Sequence, residues 1–117
     1  MALDLSAVAG PIIIRDIEMD GTDSTAVTLP SWAYVCYLQF YASTPPLTAS
    51  SGTFAFTGTD GTAQADEYIR VGEGVTFPIP VGAAFPSGTR TIYLAGDVAL
   101  PVVDVARILV VARNMGA

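Results

Sequence analysis

Apolar and polar residues alternate with a period of two along most of this chain. The runs PIIIRDIEM (11–19), AVTL (26–29), WAYVCYLQFYA (32–42) and TFAFT (53–57) are followed by EYIRV (67–71), VTFPIPV (75–81), RTIYLA (90–95) and VVDVARILVVA (102–112). They are rich in Val, Ile, Thr, Tyr and Phe, and clusters of Gly, Pro, Ser or Asp separate them, as β-strands require. About eight short strands predict an all-β fold, a compact β-sandwich or jelly roll. In 32–41 one face carries Trp32, Tyr34, Cys36, Leu38 and Phe40, the better core face. The opposite face, Ala33, Val35, Tyr37, Gln39 and Tyr41, is aromatic enough for an interface. In 102–112, Val103, Val105, Leu109 and Val111 share a side with Arg107, and Asp104 and Arg113 bracket the strand. That run also fits helical spacing, but its β-branched residues favour a strand. Pro78 and Pro80 lie on one face of VTFPIPV and cannot donate to a ladder, which makes that run an edge strand. Residues 1–10 carry no strand pattern and read as an N-terminal arm, with 11–117 as a single β-sandwich domain. Segment 43–52 reads as an exposed loop.

Composition adds a surface to this fold. A chain of 117 residues is one domain. It is 51% hydrophobic and only 14% charged, where soluble domains average about 25% charged. Such a chain must expose apolar or hydroxyl-bearing surface, and extended apolar surface marks a protein contact.

Charge narrows the partners. Five basic residues, all Arg, face eleven acids for a net charge of −6. That balance opposes phosphate backbones and anionic membranes, so neither nucleic acid nor a membrane is an expected partner. The lack of Lys is equally well explained by a GC-rich genome. The single cysteine, Cys36, has no internal disulfide partner and sits in an apolar run, where a buried, unreactive thiol is expected. Residues 1–10 lack the basic start of an export signal, and no run approaches the roughly 18 apolar residues of a membrane-spanning helix. The expected location is the cytoplasm or a larger particle.

Candidate chemistry is sparse. Without His there is no Ser-His-Asp or Cys-His site and no His metal ligand. Without Lys there is no Schiff base and no phosphate-loop lysine. Gly72-Glu73-Gly74 leads into a strand rather than a helix, so it is no nucleotide cradle. The loops Asp20–Thr25 and Asp60–Glu67 carry acids beside Gly. Both read as hairpin turns, with a Ca²⁺ site as the alternative. Asp23-Ser24-Thr25 differs from an aspartic-protease motif by Thr in place of Gly. Trp32, Tyr34, Tyr37, Tyr41, Tyr68 and Tyr93 could stack on a sugar, but aromatics in strands are more often core or interface. No catalytic, cofactor-binding or metal residue is therefore assigned, and no enzyme is expected.

The segment GTFAFTGTDGTAQADEYIRVGEGVTFPIPVG, with GTRTIYLAG and VVDVARILV after it, resembles the small head-decoration proteins of tailed bacteriophages, also called cement or auxiliary capsid proteins. The likeness lies in the succession of Thr/Gly-rich hairpins and a final Val-rich strand across residues 50–112, not in a positional motif, so no site residue carries over. It implies a virion structural protein on the capsid surface, bound to the major capsid protein, and a homo-oligomer with a trimer preferred. The alternative is a carbohydrate- or receptor-binding module of a fibre or tail. The arm and the 43–52 loop are the segments expected to reach a neighbouring subunit.

Overall fold

The computed structural model describes residues 2–42, 48–64, 67–81, 90–97 and 104–112. These form nine strands and no helix. The strands are β1 (Leu3–Asp4), β2 (Ile12–Glu18), β3 (Thr25–Thr28), β4 (Ala33–Ala42), β5 (Gly52–Ala55), β6 (Ile69–Val71), β7 (Phe77–Pro80), β8 (Thr91–Gly96) and β9 (Asp104–Ala112). One sheet runs β1-β3-β8-β5-β6 and the other β2-β9-β4-β7. The fold is thus an all-β sandwich. Each of the eight expected strands is present, six of them shortened and two, β3 and β8, shifted by one residue at the same length, and β4 and β9 are the central pair of their sheet.

Alternation explains the core. Ile13 and Ile17 of β2, Cys36, Leu38 and Phe40 of β4, Ile79 of β7 and Ala106, Ile108 and Val110 of β9 point inward. They meet Val27, Phe54, Val71, Ile92 and Leu94 from the other sheet. Cys36 is fully buried, and desolvation pushes its thiol up to about 12.

The start of β4 departs from strict alternation. Ala33 pairs with Ala112, but Val35 pairs with the next residue, Val111, so Tyr34 is the extra residue of a β-bulge. The bulge shifts the period by one. Ala33 turns into the core, and Tyr34, expected on the core face, is 45% exposed. Trp32 is half-buried against Gly10, with its indole N–H donating to the carbonyl of Val8 at 2.9 Å.

The N-terminal segment differs from the free arm that its sequence suggests. Leu3 and Asp4 form β1, parallel to β3, and the Leu5 amide donates to the Thr28 carbonyl at 2.8 Å. Leu5 itself is 1% exposed. A two-residue strand is too short to show a period, which is why the sequence does not reveal it. Of the other expected contact segment, 43–47 lies outside the described residues; Ala49 bridges to Tyr41, and Gly52 opens β5.

Candidate protein-binding face

The outer face of the four-stranded sheet gathers side chains that the sequence scatters over its length. In β2 the even residues face out; in β9 and β4 the odd ones do. Strand register then aligns them in rows. Ile12 lies beside Val111, Val35 and Pro80, and Ile14 beside Leu109, Tyr37 and Pro78. Two adjacent rows across all four strands are therefore apolar apart from one phenol. Ile12 is 46% exposed and Ile14 66%, and Tyr37, Pro78 and Pro80 are exposed too.

The next row is polar and internally satisfied. Asp16, Arg107 and Gln39 stand side by side. Arg107 Nε donates to Asp16 Oδ1 at 2.7 Å and its Nη2 to Oδ2 at 3.0 Å, a bidentate pair. This holds the Asp16 carboxyl below the usual carboxylate range. The guanidinium also sits 5.2 Å from the Tyr41 ring centre. Tyr41 Oη donates to Gln39 Oε1 at 2.8 Å, and Gln39 Nε2 donates to Thr76 Oγ1. An exposed ion pair of this kind contributes little to stability. Its effect is geometric: it fixes one border of the apolar rows. Between them lies a shallow depression of about 350 Å³ lined by Ile14, Tyr37, Gln39, Thr76, Arg107 and Leu109.

Inspection of the β4 run alone identifies Val35, Tyr37, Gln39 and Tyr41 as an interface face, and all four lie on it. Ala33, assigned to the same face, is displaced into the core by the bulge. Leu109 and Val111 are grouped with Arg107 on one side of the 102–112 run by sequence but not joined to this face, and Ile12 and Ile14 are not singled out. Their one signal is the alternation of β2 and β9, and it becomes informative only once β9 is known to lie between β2 and β4.

The remaining candidates are occupied structurally or dispersed. The two acid-bearing loops pack together: Ser24 N–H donates to the Thr62 carbonyl at 2.7 Å, and Gly61 N–H to the Ser24 carbonyl at 2.8 Å. Gly21 and Gly61 take left-handed conformations, with φ of 61° and 77°, as tight turns require. Asp60 Oδ1 accepts from the Ala26 amide at 2.9 Å. Asp66 lies outside the described residues. Among the described residues no three acids, His or Cys converge on a common point. Ser24, of the protease-like triplet, is buried and donates to the Thr59 carbonyl.

The aromatic residues do not form one shelf. Tyr37 and Tyr41 lie on the outer face just described, while Tyr93 is in the other sheet beside Gly58. Tyr68 borders a separate depression with Phe54, Phe56 and Ile69, and Trp32 is held by the N-terminal segment.

A buried carboxylate, Asp104, accepts from Ser50 Oγ at 2.9 Å and from the Asp97 amide at 3.2 Å. Asp97 in turn accepts from Ser51 Oγ and Arg70 Nη1, both at 2.5 Å. These bonds clasp β5, β6, β8 and β9 together, and each carboxylate already has partners.

Comparison with family models, with curated proteins and with solved structures finds no match for this chain.

Proposed function

We propose that this protein is a non-enzymatic assembly subunit that works by covering protein surface. Its most specific form is a decoration subunit on the outside of an icosahedral phage shell, bound to the major capsid protein. The observation that carries this reading is the pair of apolar rows on the outer face of β2-β9-β4-β7, bordered by the Asp16–Arg107–Gln39 row. The resemblance of residues 50–112 to decoration proteins supplies the partner.

Size bears on mechanism. Strands about 4.8 Å apart and rising about 3.4 Å per residue give this face roughly 450 Å². A standard interface buries about 800 Å² per partner. One copy therefore binds weakly, and strength comes from repetition on a lattice. A subunit that binds the assembled shell and not its free components stabilises that shell by mass action.

The test is to mix the purified chain with icosahedral phage shells of a candidate major capsid protein, assembled without this chain, and to sediment them. Co-sedimentation at micromolar concentration, abolished by Tyr37→Asp or Leu109→Asp, is expected. Retention of the wild-type chain in the supernatant would overturn the reading, as would binding that neither substitution affects.

A further inference from the structure

The sandwich has four sheet edges, and they are not equivalent. In the five-stranded sheet the edges are β1, with two residues, and β6, with three. Both are too short to template another strand. In the four-stranded sheet the edges are β7 and β2.

Hydrogen-bond parity shows what each of those two presents. On β7, the Val81 amide donates inward to the Tyr34 carbonyl at 3.0 Å. Odd positions therefore bond to β4, and even positions face away from the sheet. The even positions are Pro78 and Pro80, so this edge has no outward donor. On β2, the Pro11 carbonyl accepts from Ala112 N–H at 3.0 Å, and Met19 N–H donates to the Asp104 carbonyl at 2.8 Å. Odd positions again bond inward, to β9. The N–H and C=O groups of Ile12, Ile14, Asp16 and Glu18 face away, and no described residue pairs with them. One edge is closed by proline, and the other is seven residues long and, among the described residues, open.

We infer that β2 is a self-association edge, which pairs antiparallel with β2 of a second copy about a two-fold axis. A second copy is the occupant because, among the described residues, β2 has no complement elsewhere on the molecule. Head-to-tail pairing with β7 is denied its donors, and β1 and β6 are too short. An edge that can pair only with its own copy gives a closed, isologous dimer rather than a fibre.

Charge narrows the register to centres at the N-terminal isoleucines, and of these Ile14 pairs the most of β2. Centring the axis on Arg15 or Asp16 sets like charges directly opposite each other, which is unfavourable. Centring it on Ile14 sets Ile14 against Ile14, Ile12 against Asp16 and Ile13 against Arg15 of the other copy. Ile12, Ile14 and Asp16 of each copy then exchange main-chain hydrogen bonds. Ile14, the most exposed large apolar side chain among the described residues, is covered at the axis. The apolar row Ile14–Leu109–Tyr37–Pro78 continues unbroken into its symmetry mate. The two outer faces become one, of roughly 900 Å² by the same strand spacings, which exceeds the standard interface half. This pairing is two-fold, where the resemblance to decoration proteins implies a preference for three-fold.

The experiment uses the purified chain alone, so its failure is separable from a failure to bind shells. Sedimentation velocity from micromolar to hundreds of micromolar should show a monomer–dimer equilibrium. Ile14→Pro removes the outward donor without touching the β9 ladder, and should weaken dimerisation about tenfold or more. Ile14→Glu, which sets like charges at the axis, should do the same and decides the matter if the proline variant fails to fold by circular dichroism. Ile14→Cys should give a covalent dimer on mild oxidation, because Cα atoms about 5.5 Å apart in such a pair are within disulfide reach. A monomer at every concentration would overturn the inference. So would an oligomer of unchanged affinity in both folded variants, or failure of the cysteine variant to cross-link.

Discussion

Replacing Gly52 by Ala tests how the two sheets are held together. Gly52 opens β5 in one sheet and faces Phe40 of β4 in the other. A Cβ placed there lands 2.5 and 2.6 Å from Cζ and Cδ1 of the Phe40 ring, and closer still to Cε1. Carbon atoms in contact prefer about 3.5–4.0 Å, so the ring must move by about 1 Å. It has little room, because Phe40 is 2% exposed and Phe54 1%. The backbone of Gly52 is not in the left-handed region, so alanine is not strained there by conformation. Loss of unfolded-state freedom on replacing Gly stabilises by about 0.4–1 kcal/mol. Overpacking a filled core costs about 1–3 kcal/mol and wins, for a net loss of about 1–2 kcal/mol. For a chain of this size that is a fall in Tm of about 4–8 °C. Calorimetry and urea unfolding measure it directly. In a Phe40→Leu background the clash is relieved, and Gly52→Ala should cost at least about 1 kcal/mol less. Equal costs in the two backgrounds, or a stabilised Gly52→Ala variant, would refute the steric reasoning.

Two further outcomes are expected. Cys36 should resist thiol reagents in the native state. Its raised pKa adds stability that is fully present below the unfolded value of 9.0 and is lost as pH rises towards about 12. By pH 10.5 wild type should lose about 2 kcal/mol relative to Cys36→Ala in urea unfolding, and parallel pH profiles would contradict the burial argument. Leu5→Ala should destabilise by about 2–4 kcal/mol, as for any filled core position, while Ala7→Gly nearby should change little. A neutral Leu5→Ala would restore the free-arm reading of residues 1–10.

The strands were legible because their signals are local. Val- and aromatic-rich alternation gave eight of the nine, and the Pro78/Pro80 pair marked β7 as an edge. What the sequence hid depends on contacts between distant segments. β1 is two residues long and is defined only by its parallel partner β3. The bulge at Tyr34 is a register event between β4 and β9, so an unbroken alternation put Tyr34 on the wrong side. Asp104 looked like a polar strand end, and its burial comes from Ser50 and the Asp97 amide arriving from other strands. The candidate face was half legible. Tyr37 and Tyr41 were visible on β4, but joining them to Ile12 and Ile14 required knowing that β9 lies between.

The asymmetry of β7 and β2 has a physical rationale in the acidic, charge-poor character of the chain. With 14% charged residues, this protein has few of the charges that commonly guard open edges. Proline guards β7 without any charge. On β2 the charges Arg15, Asp16 and Glu18 occupy one half of the strand, and Ile12, Ile13 and Ile14 the other. A strand guarded along its whole length would carry its charges evenly. One charged at a single end accepts a partner only in registers that keep those charges apart, which are the registers centred on Ile12, Ile13 or Ile14. Under the proposed pairing the charges therefore set the register rather than block it. The net charge of −6 per copy adds a long-range repulsion that salt screens. Self-association through β2 should consequently strengthen as ionic strength rises, whereas an interface built on complementary charges would weaken.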